Sequence, residues 1–424
     1  MAPHISTRLG ADIAIDAPDP REETDMVYYD PYDRELMKNP WDAYRQLRDE
    51  APAYYMEKYD AWVLSRFDDI QKASLDRENY TATAGIATGN LLQKRLIPDS
   101  STFMSMDPPE HTGFRKAVAS AFRPTEVQAR LPAFIAERIE KYGAPLLSQG
   151  EFDAVKAFAL PVATDVAVHL TGIPLEDGPM LVKWVEVFEP FFHDIPPQGT
   201  SDASATSADA AGGQLIDYFL RLVDRHRKQG PSPDNVIGML LLADIDGHRL
   251  DDLTIAQNAL PLFIGGMETF PKHFGSLLYW LAEFPEQRAK VASNRALCGK
   301  AVEEAMRFDA PAPMLGRRAV NAVTWHGHTI QPGQAVMFLY QAANRDDRTF
   351  ERPDEFDVER AFIPQVAFGS GIHVCLGMHA ARLESRMMLE WLLSHAPDYK
   401  VDKTRAVRGL LAGMHGFRSL FIEV

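Results

Sequence analysis

The sequence predicts one large, mainly α-helical domain with a small β portion. Three observations carry that expectation. Apolar residues recur at three-to-four-residue steps through long segments at 125–148, 154–171, 176–193, 213–229, 251–283 and 297–308, the spacing of one helical face. The β-rich runs are few and short. No internal repeat and no convincing boundary divides the 424 residues, and a chain of that length can bury a sizeable core.

Taken in order, residues 1–30 are polar, acidic and proline-dotted. They read as a loose tail ahead of a domain spanning 31–424, with neither an apolar signal segment nor a basic amphipathic anchor. Asn39-Pro40-Trp41 opens a short helix through Leu47. Residues 53–56 and 61–64 are β-rich runs joined by Glu57-Lys58-Tyr59-Asp60, a hairpin pattern. Residues 106–115 start a helix, with Pro108, Pro109 and Glu110 in positions that suit its first turn. Residues 196–207 are so small and polar that they read as a mobile surface loop, an inert linker on their residues alone. Residues 322–325 and 335–339 restore β character around the turn residues Gln331-Pro332-Gly333-Gln334. In the last helix Leu376, Ala380, Leu383, Met387 and Trp391 share one face, and Pro397 stops it.

Asp and Glu outnumber Lys and Arg by 59 to 44, a formal charge of −15, which argues against a nucleic-acid partner. No run of eighteen apolar residues is present, so no segment is read as spanning a membrane. Cys298 and Cys375, the only two cysteines, give no disulfide framework, consistent with a reducing compartment. A cytoplasmic protein is expected.

The rest of the chain is organised around residues 367–377, which run Ala-Phe-Gly-Ser-Gly-Ile-His-Val-Cys-Leu-Gly. A glycine-rich loop delivers Cys375 to the first turn of a helix, where free N–H groups and the positive dipole end favour a thiolate able to ligate a metal. Gly369, Gly371 and Gly377 let backbone come close to something flat and wide, and Phe368 supplies a ring to shield the sulfur. On residue type alone a single cysteine is a small buried hydrophobe; its neighbours argue otherwise. A c-type haem attachment is excluded, because C-x-x-C-H is absent. The pattern F-G-x-G-x-H-x-C-x-G resembles the cysteine-ligand loop of the cytochrome P450 family.

Four further blocks stand in that family's order. Glu304 and Arg307 lie three apart and 71 residues before Cys375 (375 − 304), with Arg360 between. The resemblance implies a structural triad bracing the cysteine loop. His111 and Arg115 share a face; read alone they are a solvated polar face, whereas the family assigns both to haem propionates. Arg317 resembles another propionate donor, with Arg318 open as a one-residue slip, and His373 is the fourth. Residues 262–271 place Gly265 and Gly266 inside a helix, at a cost of about 1 kcal/mol each relative to alanine. Pro271 removes the N–H that the Met267 carbonyl would receive and pushes against that carbonyl. Residues 265–269 resemble the family's A-G-x-[DE]-T segment, with Gly265 in place of alanine and Glu268 in place of the commoner aspartate. The resemblance places Thr269 at the oxygen pocket and Glu268 in a proton relay.

The resemblance runs from about Asn39 to the C-terminus and implies the cytochrome P450 fold with haem b (iron protoporphyrin IX). The implied activity inserts one oxygen atom from O2 into a small or medium hydrophobic substrate, terpenoid, aromatic or fatty, by hydroxylation or oxidative dealkylation. Ferredoxin and ferredoxin reductase would supply electrons to a monomer, and Lys116 and Arg123 would greet an acidic partner. Rival readings are a peroxide-driven peroxygenase, a haem gas-binding protein and a nitric-oxide reductase of the same fold.

Overall fold

The computed structural model describes residues 27–94, 102–193, 202–361 and 364–424, with only the backbone of 189–193 and 202–207. The expected tail falls almost wholly outside the described residues, as do 196–201 of the expected loop. From Asp202 the chain is already helical and continues to Gln229. The surface-loop reading of 202–207 is thus corrected: six small residues there are helix, because alanine and serine tolerate it well enough when a long apolar face follows.

The longest element is the core helix Asp252–Glu283, capped by the Asp251 side chain on the Thr254 N–H. Phe263, Phe274, Leu277 and Leu278 along it are buried. It packs against Leu160–Thr171 and the hairpin strand Met414–Ser419. Two large apolar clusters meet along this helix. One gathers Phe270, Phe274 and Leu277 with Leu389 and Leu392 of the C-terminal helix Met378–His395. The other gathers Ala259 and Phe263 with Phe114, Leu215 and Phe219. Several sequence expectations need adjustment. The segment 125–148 is two helices, Pro124–Arg130 and Pro132–Leu147, since Pro132 suits a helix start and not an interior. Residues 154–171 begin with a wide π turn at Ala154–Ala159 before the α-helix. Residues 154–171 also have the length and mean hydropathy, 1.3, of a membrane span. They are two-thirds buried inside the protein and serve its core.

The main sheet has five strands in the order Ala53–Met56, Ala61–Leu64, Ala335–Phe338, Leu315–Ala319, Tyr80–Thr81. The first two form the expected hairpin, with Ala53 opposite Leu64. The late β pattern pairs differently from its reading. Val323–Trp325 folds onto His328–Ile330, while Ala335–Phe338 enters the main sheet parallel to Ala61–Leu64. His326 and Gly327 take positive φ in that tight turn, so the hairpin closes before the Gln331–Gln334 turn is reached. Val407–Leu411 and Met414–Ser419 form a third hairpin that presses Gly416 onto the core helix.

Candidate active site

Cys375 lies three residues before the helix Met378–His395 and two before its N-cap, Gly377. The expectation of a first-turn cysteine is corrected by that offset, but the electrostatic reasoning survives in altered form. The backbone N–H groups of Gly377 and Met378 point at the sulfur, and Arg115 and Arg382 add positive field. Burial still dominates and holds the thiol above its ordinary pKa. The chain by itself therefore favours the neutral thiol, and a bound cation is what would draw the proton off. The side chain is accessible to water although protein surrounds it: it faces an interior space.

The loop that presents it is closed by its own backbone. Cys375 N–H donates to Phe368 O at 2.8 Å and Gly369 N–H to Val366 O at 2.9 Å. Gly369 and Gly371 sit at φ of 73° and 71°, where a side chain would be strained. At Gly371 a Cβ would also lie 2.5 Å from Ser74 O. At Gly377 a Cβ would meet nothing within 4 Å.

The middle of the core helix is near, since its Leu262 and Ile264 pack on the same apolar cluster as Leu376. Gly265 and Gly266 are exposed there, between buried Phe263 and Met267. The two glycines do different work. A Cβ on Gly265 would meet nothing within 4 Å, whereas one on Gly266 would sit 3.2 Å from Ala167 Cβ. Gly265 opens the interior and Gly266 admits a neighbouring helix. Thr269 is half-buried. Glu268 is not a lone acid. Its Oε1 accepts from Lys272 Nζ at 3.1 Å, and the same ammonium reaches the Glu268 carbonyl at 3.3 Å. Both side chains are 8% exposed. Gly416, at φ 113°, leaves no room for a side chain: a Cβ would stand 2.8 Å from both Lys272 Cβ and Lys272 O. The hairpin thereby seals the lysine stem over the ion pair. Sequence reading missed Lys272, although its i+4 spacing from Glu268 was the available signal.

At the edge of the space four nitrogen-bearing side chains converge. The His111 and His373 rings are 4.2 Å apart. Arg115 donates to Val374 O at 2.8 Å and Arg317 to Gly316 O at 2.7 Å. Burial, then the positive charges of Arg115 and Arg317, push His111 down to about 4. Burial, then Arg317, His111 and Arg115, push His373 down to about 3. His111 Nε2 is buried without a partner among the described residues. Arg317, not Arg318, joins this group, since it is the buried member of the pair in the strand. Four donors facing one another invite an anion. A cleft of about 400 Å³ reaches Arg317 and His373 from outside, past Asp76, Arg77 and Asp107.

Beneath the loop, Glu304 and Arg307 are paired through two bonds of 2.8 and 2.9 Å. Arg360 Nε lies 3.1 Å from both Glu304 oxygens. Arg307 also donates to the carbonyls of Asn344, Pro353 and Glu355 at 2.9, 2.8 and 3.2 Å. Asn344 Oδ1 in turn accepts the Val366 N–H at 2.8 Å, so the triad holds the start of the cysteine loop through one residue.

An accessible thiol, an exposed helix glycine, and a rim of two arginines and two histidines could hold a flat, dianionic, metal-bearing macrocycle. The residues present fit haem, which defines a haem-thiolate protein. Comparison extends this. The cytochrome P450 family profile matches residues 34–396, and the chain belongs to that family. Cytochrome P450 130 of Mycobacterium tuberculosis is 32% identical over 386 residues, covering 88% of this chain and 92% of its own. The vitamin D(3) 25-hydroxylase of Pseudonocardia autotrophica is 32% identical over 387 residues, covering 88% and 91%. Among solved structures, P450BioI in complex with an acyl carrier protein ligated to hexadec-9Z-enoic acid superposes with a TM-score of 0.82 at 27% identity, covering 92% of this chain and 99% of that one. The protein is a cytochrome P450 monooxygenase whose cofactor is iron protoporphyrin IX.

Proposed function

We propose that Cys375 ligates the haem iron and that the enzyme inserts one oxygen atom from O2 into a small or medium hydrophobic molecule. Thiolate-ligated haem supplies reductive O2 activation by pushing electron density toward the iron. The observation that carries the assignment is the accessible Cys375 sulfur inside the protein, followed by Leu376, which packs on the same apolar cluster as Leu262 and Ile264 of the core helix. His111, Arg115, Arg317 and His373 bind the two propionates, the arginines with charge and the two neutral imidazoles with N–H donors. Phe368 and Gly369 shape the loop under the ring, and Gly377 leaves clearance beside the sulfur.

Thr269 orients a hydroxyl toward the oxygen pocket, and Glu268 moves protons to it from its place beside Lys272. A hydrophobic substrate is read from Met104, Phe188, Leu262, Ile264 and Leu376, which are half-buried and pack on one apolar cluster. The vitamin D(3) that one relative hydroxylates and the hexadec-9Z-enoic acid carried by the acyl carrier protein bound to P450BioI are of that kind. Electrons come from ferredoxin and its reductase, docking near exposed Lys116 and Arg123 on a soluble, cytoplasmic monomer.

Substrates are found by the spin-state shift that follows displacement of water from the iron. With one in hand, Thr269→Ala keeps the carbon monoxide band of a thiolate-bound haem and diverts consumed O2 to peroxide. A fully coupled Thr269→Ala enzyme overturns the relay. Turnover on hydrogen peroxide alone, matching the electron-driven rate, replaces the reading with a peroxygenase.

A further inference from the structure

Phe368 is gripped from outside the cysteine loop. The Arg382 guanidinium lies over its ring, 4.8 Å from the centroid, a cation on a π face. Arg382 Nε and Nη2 donate to Glu303 Oε1 and Oε2 at 2.5 and 3.0 Å, so the fork is held in a two-point grip. Gln365 Nε2 lies 3.4 Å from Glu303 Oε2, and Gln365 Oε1 accepts the Ala367 N–H at 2.9 Å. One ion pair thus ties the helix Cys298–Phe308, the helix Met378–His395 and the approach to the cysteine loop. The field of Arg382 also reaches the sulfur, where it opposes the effect of burial. None of the brace or rim residues described above does this: Arg382 and Glu303 bear on the ring and on the thiol side of the site together.

We propose that the Glu303–Arg382 pair sets the reduction potential of the Cys375-ligated haem, Arg382 as the positive bias over Phe368 and Glu303 as its counterweight. Reduction adds one electron without changing the ligands, so the iron–porphyrin–thiolate unit becomes one charge more negative. A nearby positive charge favours the reduced form, and a nearby negative charge opposes it. The pair's side chains are 31% and 27% exposed, so solvent screens each field without abolishing it.

The sign is the test. In the substrate-free holoenzyme, Glu303→Gln uncovers Arg382 and raises the ferrous-to-ferric ratio at a fixed poise by roughly threefold to tenfold; tenfold is about 59 mV for one electron. Arg382→Gln leaves Glu303 bare and lowers the ratio by a similar factor. The double variant returns to within about twofold of the parent. Potentials are read by dye-mediated spectroelectrochemical titration, and the carbon monoxide difference band confirms thiolate ligation in each variant. A purely structural pair would move both single variants the same way, and that result overturns the proposal. So does a Glu303→Gln protein whose ratio falls or stays within twofold of the parent. Should Arg382→Gln lose haem, Arg382→Lys takes its place: it keeps the charge, loses the fork, and stays within about twofold of the parent.

Discussion

Arg307→Lys is the sharpest probe of how the fold holds its cysteine. Lysine keeps the charge but concentrates three donors at one point, whereas Arg307 spreads five bonds: two to Glu304 and one each to the carbonyls of Asn344, Pro353 and Glu355. An ammonium reaching for Glu304 abandons at least two of them. Arg307 is 2% exposed and Glu304 4%, so water cannot replace the lost partners. Each orphaned group costs about 1–3 kcal/mol, and the sum is on the order of 3 kcal/mol. At about 2.1 cal/mol/K of unfolding entropy per residue, a chain of 424 residues loses roughly 3–4 °C in thermal midpoint. The cysteine loop should feel it first, because Asn344 carries the strain to Val366. Haem content per mole of protein, and the share of the carbon monoxide complex retaining its thiolate band, are measured alongside the midpoint. A variant that matches the parent in all three refutes the argument that the triad braces the loop.

Two further outcomes follow from single positions. Gly265→Phe fills a space where a Cβ meets nothing within 4 Å; the fold survives, while imidazole binds the haem iron tenfold or more weakly in an optical titration. Unchanged affinity places Gly265 away from the distal face. His273, fully buried with neither ring nitrogen partnered in the protein, is pushed down from 6.5 to about 4, chiefly by burial. Its folded pKa lies below the unfolded one, so the unfolded chain binds the extra proton, and stability falls as pH drops from 6.5 toward 4. The contribution is on the order of 2–3 kcal/mol, and His273→Phe flattens that part of a urea-midpoint-versus-pH curve. An unchanged slope assigns the acid sensitivity to other groups, among them buried His415, which burial drives down to about 3.

The parts of this enzyme legible in its sequence are those fixed by local chemistry. Glycines at positive φ, the cysteine they present, and the Glu304–Arg307 pair each leave a mark within a few residues. The two helix glycines announced a defect, but only the packing of Ala167 separates the role of Gly266 from that of Gly265. What stayed hidden depends on distant chain segments. Ala61 pairs with Ala335, so the late strands could not be assigned from their own alternation. Arg382 and Glu303 are ordinary surface-type residues on their helices until the two helices are placed side by side. The site also sets the thiol against its surroundings more strongly than a helix-end argument suggests, because burial outweighs the backbone N–H groups.

The close seating of Gly416 on Lys272 has a bearing on how such enzymes diversify. Any side chain introduced at 416 must displace the backbone at Lys272, and with it the ammonium that holds Glu268. A change in the terminal hairpin is thus felt at the acid beside Thr269. On the proposed relay, such a change would cost the coupling of O2 to product until a second change reseated the lysine.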